Sequence, residues 1–148
     1  MADIDLGNFT DAAAKFNRSF TNVQQPYQVW TETPTGGTPN FITGAGGFLQ
    51  GVLFGYGGLR LFHDSVTVSP TLIPGSSATH FRKLFYANIP FEYWYNVTDF
   101  GMKLQSSSSL PDYGLCATLA NATTLKLGYD WSVFPLQKVT LRSCNTRE

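Results

Sequence analysis

The apolar positions follow two different periods along the chain. Near the N-terminus Ala12, Phe16 and Phe20 recur at i, i+4 and i+8, which puts one apolar stripe on a short helix. Thr10 is the expected N-cap, since its hydroxyl can accept from a free N–H of the first turn, and Pro26 bounds the helix on the far side. The run Thr33-Pro34-Thr35-Gly36-Gly37-Thr38-Pro39 is rich in turn formers and predicts a loop. Phe48, Leu49, Val52, Leu53 and Tyr56 return to helical spacing, with Thr43 as the expected cap and Gly57-Gly58 as the stop. Five glycines fall between positions 44 and 55. Each costs about 0.8–1.0 kcal/mol relative to alanine inside a helix, so their number predicts a place where another backbone passes very close.

Beyond Gly58 the period drops to two. Ile89, Phe91, Tyr93, Tyr95 and Val97 alternate with Pro90, Glu92, Trp94 and Asn96. Leu125, Leu127, Tyr129, Trp131 and Val133 form a second such run, and Val66 with Val68 and Val139 with Leu141 form shorter ones. Alternation of this kind predicts half-buried strands. Breaks at Pro70, Pro74-Gly75, Ser106 to Ser109 with Pro111, and Asn121 separate the runs, as expected of an antiparallel sandwich. His63-Asp64 reads as a hairpin turn between Leu59–Phe62 and Ser65–Ser69. The boundary between the halves is expected near Gly58.

Composition narrows the function. The chain of 148 residues is 43% hydrophobic and 14% charged with no net charge, so it has the apolar content to fold. It also lacks the basic stripe that nucleic-acid binding needs, and no nucleic-acid role is expected. Gly44 to Leu59 is apolar except for Gln50, but its 16 residues fall short of the ~20 needed to span a bilayer, so a buried core helix is expected and no membrane role. The N-terminus, Met1-Ala2-Asp3-Ile4-Asp5, has neither the basic nor the apolar region of an export signal. Four N-x-S/T acceptors, at Asn8, Asn17, Asn96 and Asn121, point instead to a secretory route. An extracellular or lysosomal-like location follows if the chain is part of a longer secreted protein, and a cytoplasmic one otherwise. Cys116 and Cys144 can form one bridge or remain two buried thiols.

Titratable candidates are few. His63 and His80 lie 17 positions apart without cysteines or paired carboxylates at ligand spacing, so both read as surface or turn residues and no metal is expected. There is no P-loop, nucleophile elbow or dinucleotide fingerprint, and no cofactor is expected. The segment Pro26-Tyr27-Gln28-Val29-Trp30-Thr31-Glu32-Thr33 sets an acid beside a tryptophan just before the Gly/Pro loop. A carboxylate on such a loop can be both positioned and reachable, and an aromatic ring beside it can stack on the apolar face of a sugar. The same pattern also suits a core Trp30 with a solvated Glu32.

Three stretches carry a resemblance to a known family: 29–33 (Val-Trp-Thr-Glu-Thr), 40–50 (Asn-Phe-Ile-Thr-Gly-Ala-Gly-Gly-Phe-Leu-Gln) and 55–60 (Gly-Tyr-Gly-Gly-Leu-Arg). Together they resemble the C-terminal part of glycoside hydrolase family 65, in the branch of the acid trehalases and the glucosylgalactosylhydroxylysine glucosidases. The resemblance implies that residues 1–58 are the last helices of an (α/α)6-barrel catalytic domain and residues 59–148 a C-terminal β-sandwich. It implies an inverting hydrolase of an α-glucosidic disaccharide (trehalose, kojibiose-type or glucosylgalactosyl-hydroxylysine), with Glu32 as general base and Trp30 beside the sugar. The phosphorylases of the family use phosphate as nucleophile and would not need this carboxylate. The family's general acid lies upstream of the matching stretches, and Asp3, Asp5 and Asp11 match no part of its motif. The expected partners are therefore an α-glucoside substrate and the rest of the barrel, with the segment alone inactive. A non-catalytic carbohydrate-binding or structural module is the competing expectation.

Overall fold

The computed structural model describes residues 2–106 and 114–144. The chain divides into two compact units, Met1–Tyr56 and Gly57–Glu148.

The first unit is helical with one small hairpin. Helix α1 (Ala2–Asp5) is a single turn, and α2 (Phe9–Arg18) carries the apolar stripe. Its cap is Asn8 rather than Thr10: the Asn8 Oδ1 accepts from the Asp11 N–H at 3.4 Å, and its Nδ2 donates to the Asp11 carboxylate at 3.0 Å. Asparagine caps as well as serine or threonine, and capping at Asn8 admits Phe9 and Thr10 to the first turn. Strands β1 (Val23–Gln24) and β2 (Val29–Trp30) pair antiparallel, so the segment after α2 is a hairpin. Helix α3 (Ile42–Gln50) starts at Phe41 without a side-chain cap from Thr43, and continues as a π-helical turn over Gly51–Tyr56.

Aromatic rings hold this unit together. Phe16 meets Phe20, Phe48 and Tyr56 at centroid distances of 5.7, 5.4 and 4.9 Å, and Trp30 meets Phe48 at 5.4 Å. Of the buried core helix expected over 44–59, only the end is buried in this segment, from Gly55 to Leu59, and Leu59 already belongs to a strand. No residue of α3 is buried, and Ile42 and Leu49 are 80% and 63% exposed. Fifty-six residues give too few layers to cover both sides of an apolar helix. The close backbone approach expected at the glycines is also missing among the described residues. No described atom lies within 4 Å of a Cβ built at Gly46, Gly47 or Gly51, and Gly44 faces the side chains of Phe41 and Trp30.

The second unit consists of two antiparallel sheets, the composition of a β-sandwich. The five-stranded sheet runs β3 (Leu59–Leu61), β4 (Val66–Val68), β11 (Val139–Cys144), β8 (Gly114–Thr118) and β9 (Thr124–Lys126). The four-stranded sheet runs β10 (Ser132–Pro135), β7 (Asp99–Leu104), β6 (Ile89–Asn96) and β5 (Ala78–Tyr86). Val66, Val68, Leu115, Leu141 and Val139 of the first sheet are fully buried, as are Phe91, Tyr93, Tyr95, Phe100 and Met102 of the second. His63-Asp64 does form the tight turn between β3 and β4, closed by the Phe62 N–H donating to the Ser65 carbonyl at 2.8 Å.

Three differences from the expected strands have physical causes. The alternating run 125–133 is two strands in different sheets, β9 and β10, parted by residues 127–131, and its positions Tyr129, Trp131 and Val133 are exposed rather than half-buried. Strand β5 escapes the period because a bulge between Phe81 and Leu84 inserts a residue, leaving the apolar positions three apart. Strand β6 is buried on both faces rather than one. Trp94 lies over Gly101, where a Cβ would collide with the indole, and its ring meets Trp131 edge-on at 6.2 Å. Of the expected breaks, positions 107–109 and Pro111 lie outside the described residues.

Candidate active site

Glu32 leaves β2 two residues after Trp30 and enters the loop expected from the Gly/Pro run. That loop is closed on itself. The N–H of Thr33 donates to the Gly36 carbonyl at 3.0 Å, and the Thr31 hydroxyl, with one proton to give, lies 2.7 Å from the Thr33 carbonyl and 3.0 Å from the Asn22 carbonyl. The Asn22 side-chain amide donates to the Glu32 carbonyl at 3.1 Å. Glu32 is exposed, and its Oε2 is 3.4 Å from both the N–H and the hydroxyl of Thr38. Gly37 makes this possible. Its φ is +86°, and a Cβ there would sit 2.8 Å from the Glu32 Cβ and 3.1 Å from Oε2. One carboxylate oxygen is therefore held while Oε1 carries none of these contacts.

Trp30 is half-buried. Its indole N–H donates to the Ser19 carbonyl at 3.2 Å, and its ring packs on Phe48 and beside Gly44. It also lines an open hollow of about 270 Å³ with Tyr27, Val29, Asn40 and Phe41. Asp3, the acid nearest the N-terminus, is tied to Lys15 at 2.8 Å.

The sequence reading left Cys116 and Cys144 open, and the structure bridges them, with Cα atoms 5.3 Å apart across β8 and β11. The four sequon asparagines sit in different settings. Asn8 caps α2, and Asn17 is exposed on its surface. The Asn96 Oδ1 accepts from the N–H groups of Thr98 and Asp99 in the β6–β7 turn, and Asn121 is exposed in the β8–β9 turn. Among the described residues no helix is long and apolar enough to cross a membrane, and no cluster of three metal-ligating side chains occurs.

His63 sits exposed in its turn, whereas His80 has a partner. Its Nε2 lies 2.8 Å from Glu92 Oε2, and Lys103 Nζ is 3.2 Å from Glu92 Oε1. Glu92 is 7% exposed. Burial by itself raises its pKa, yet the bonds from Lys103 and His80 outweigh that and hold the carboxyl below its ordinary value. This cluster escaped the sequence reading. Its one signal was a carboxylate in the middle of the apolar run Pro90-Phe91-Glu92-Tyr93-Trp94-Tyr95.

A helical segment bearing a loop carboxylate, followed by an antiparallel β-sandwich, is the order of elements that the family resemblance requires. The curated relatives carry the names of glycosidases. The chain is 40% identical over 99 residues to a protein-glucosylgalactosylhydroxylysine glucosidase of Dictyostelium discoideum, which is 66% of this chain and 14% of that protein. It is 35% identical over 136 residues to the protein of the same name from Danio rerio, 90% of this chain and 21% of the relative. A kojibiose hydrolase of Mucilaginibacter mallensis is 36% identical over 72 residues, 48% of this chain and 11% of that protein. The resemblance to the glucosylgalactosylhydroxylysine glucosidase branch of glycoside hydrolase family 65 thus extends over most of the chain. The chain itself spans about a fifth or less of the length of these relatives. No protein-family model and no solved structure matches it.

Proposed function

We propose that the chain is the C-terminal portion of an inverting glycoside hydrolase acting on an α-glucosidic disaccharide unit, and that Glu32 is its general base. One observation carries the assignment of the base: an exposed carboxylate with one oxygen fixed by Thr38, on a loop that cannot move without breaking its own hydrogen bonds. In an inverting enzyme a carboxylate takes a proton from the attacking water while an acid about 6.5–9.5 Å away protonates the leaving oxygen. Glu32 Oε1 is the atom for the first task, and the acid belongs to sequence upstream of this segment. Trp30 and its hollow form part of the wall beside the sugar. Residues 1–58 are then the closing helices of the barrel, and the exposed apolar side of α3 is the face the missing helices cover. Residues 59–148 are the C-terminal sandwich. Kojibiose-type units and the glucosylgalactosyl unit of hydroxylysine follow the names of the relatives, and trehalose follows the family resemblance alone. The Cys116–Cys144 bridge and the exposed sequons favour an oxidising, secretory compartment.

The test is Glu32→Gln in the full-length enzyme. The expected loss in kcat is about 10²–10⁴-fold, the usual worth of a general base. Azide or formate should restore part of the turnover. Unchanged kcat would refute the assignment, and glucose release by residues 1–148 alone would refute the reading of an inactive portion.

A further inference from the structure

The outer face of the four-stranded sheet holds an open pocket of about 440 Å³, far in sequence from Glu32. That volume lies within the roughly 300–1,000 Å³ of small-molecule sites. Its walls include Glu92, Lys103, Lys83 and Tyr129. We propose that this pocket binds a sugar unit, which stacks on Tyr129 and pairs a vicinal diol with Glu92 and Lys103.

Three independent features support the assignment. The first is the buried charge. Glu92 lies opposite Lys103 in the register of β6 and β7, and each of its oxygens meets one partner, Lys103 or His80. Glu92 is buried, whereas the side chains of Lys103 and His80 are 27% and 31% exposed, so the charged cluster reaches the pocket wall where a ligand could meet it. A diol hydroxyl both donates and accepts. The carboxylate can accept a hydrogen bond from the hydroxyl, and the ammonium can donate to its oxygen.

The second feature is the bulge. Phe81 pairs with Tyr93 and Leu84 with Phe91, so Arg82 and Lys83 together oppose Glu92. Lys83 takes a φ of +56°, a conformation that L-residues with long side chains rarely adopt. Bulges re-aim side chains next to sites, and this one sets Lys83 on the pocket wall. The third feature is aromatic. Tyr129 is 56% exposed although it lines the pocket, which leaves ring surface for the C–H face of a sugar. Trp131 acts as a positioning residue. Lys103 Nζ sits 4.8 Å from its ring centroid, and the ring meets His80 edge-on at 5.6 Å.

The proposal is independent of the Glu32 assignment, because it is read by binding rather than turnover. The 148-residue chain, labelled with ¹⁵N, is titrated with glucose, galactose and maltose at millimolar concentration and followed by amide shifts. Shifts are expected at positions 83, 92, 103 and 129. Tyr129→Ala, at an exposed position, and Lys83→Gly, which keeps the left-handed backbone, should each weaken binding about tenfold. Two results would overturn the proposal: no shifts with any of the three sugars, or shifts confined to other residues or unaffected by both variants.

Discussion

Gly37→Ala separates a positioned catalytic carboxylate from a solvated one. The backbone at Gly37 has φ +86°, where an alanine costs about 1–2 kcal/mol. The new methyl would also stand 2.8 Å from the Glu32 Cβ, whereas ordinary contact begins near 3.4 Å. Relief requires a shift of about 0.6 Å, and the Thr38 contacts on Oε2 are the ones that give way. Two readouts follow. The melting temperature of the helical unit should fall by roughly 5–15 °C. In the full-length enzyme kcat should fall about 10–100-fold, because displacements of this order carry a catalytic group out of its attack geometry. KM should change little, since the loop contact holds the base and not the substrate. A lowered melting temperature with unchanged kcat would show that the loop is strained as described but that Glu32 does no chemistry. No change in either would refute the loop geometry itself.

Other perturbations act on the second unit. The Cys116–Cys144 bridge closes a loop of 28 residues, so the double serine variant should lose about 3–4 kcal/mol, measured as a lower urea midpoint. The carboxyl of Glu92 is held below its ordinary value of 4.5, so its share of stability is complete above that pH and lost as pH falls through the lower folded value. Glu92→Gln should flatten the acid limb of a stability-against-pH curve, and an unchanged limb would show that the cluster is not coupled to folding. Gly58→Ala places a methyl against the Ser69 carbonyl at φ +67°, where Ser69 also donates to the Gly58 carbonyl at 3.0 Å. It should cost about 2–4 kcal/mol, read by thermal unfolding.

The change of period near Gly58, the β3–β4 turn at His63-Asp64 and the loop after Glu32 are legible in the residues alone. Each rests on local rules: side-chain spacing, and the few residues that tolerate a turn. Apolar alternation likewise predicts the strand over 89–96, because a pleated ribbon puts every second side chain on one face, although Val97 at the end of the run lies exposed in the turn. Packing and strand register show where alternation misleads. The run 125–133 alternates in sequence, yet the buried side changes between the sheets: Leu127 is buried after β9, whereas in β10 Phe134 is buried and Val133 is 54% exposed. Strand β5 loses its period to a single inserted residue, although that insertion is what brings Lys83 and Arg82 opposite Glu92. The Glu92 cluster joins residues 80, 92 and 103 through register, and no spacing along the chain encodes a register. The pairing of Cys116 with Cys144 was open for the same reason: two thiols bond only where β8 and β11 bring them side by side. The exposed apolar flank of α3 was hidden too, because spacing tells which side of a helix is apolar and only packing tells whether anything covers it.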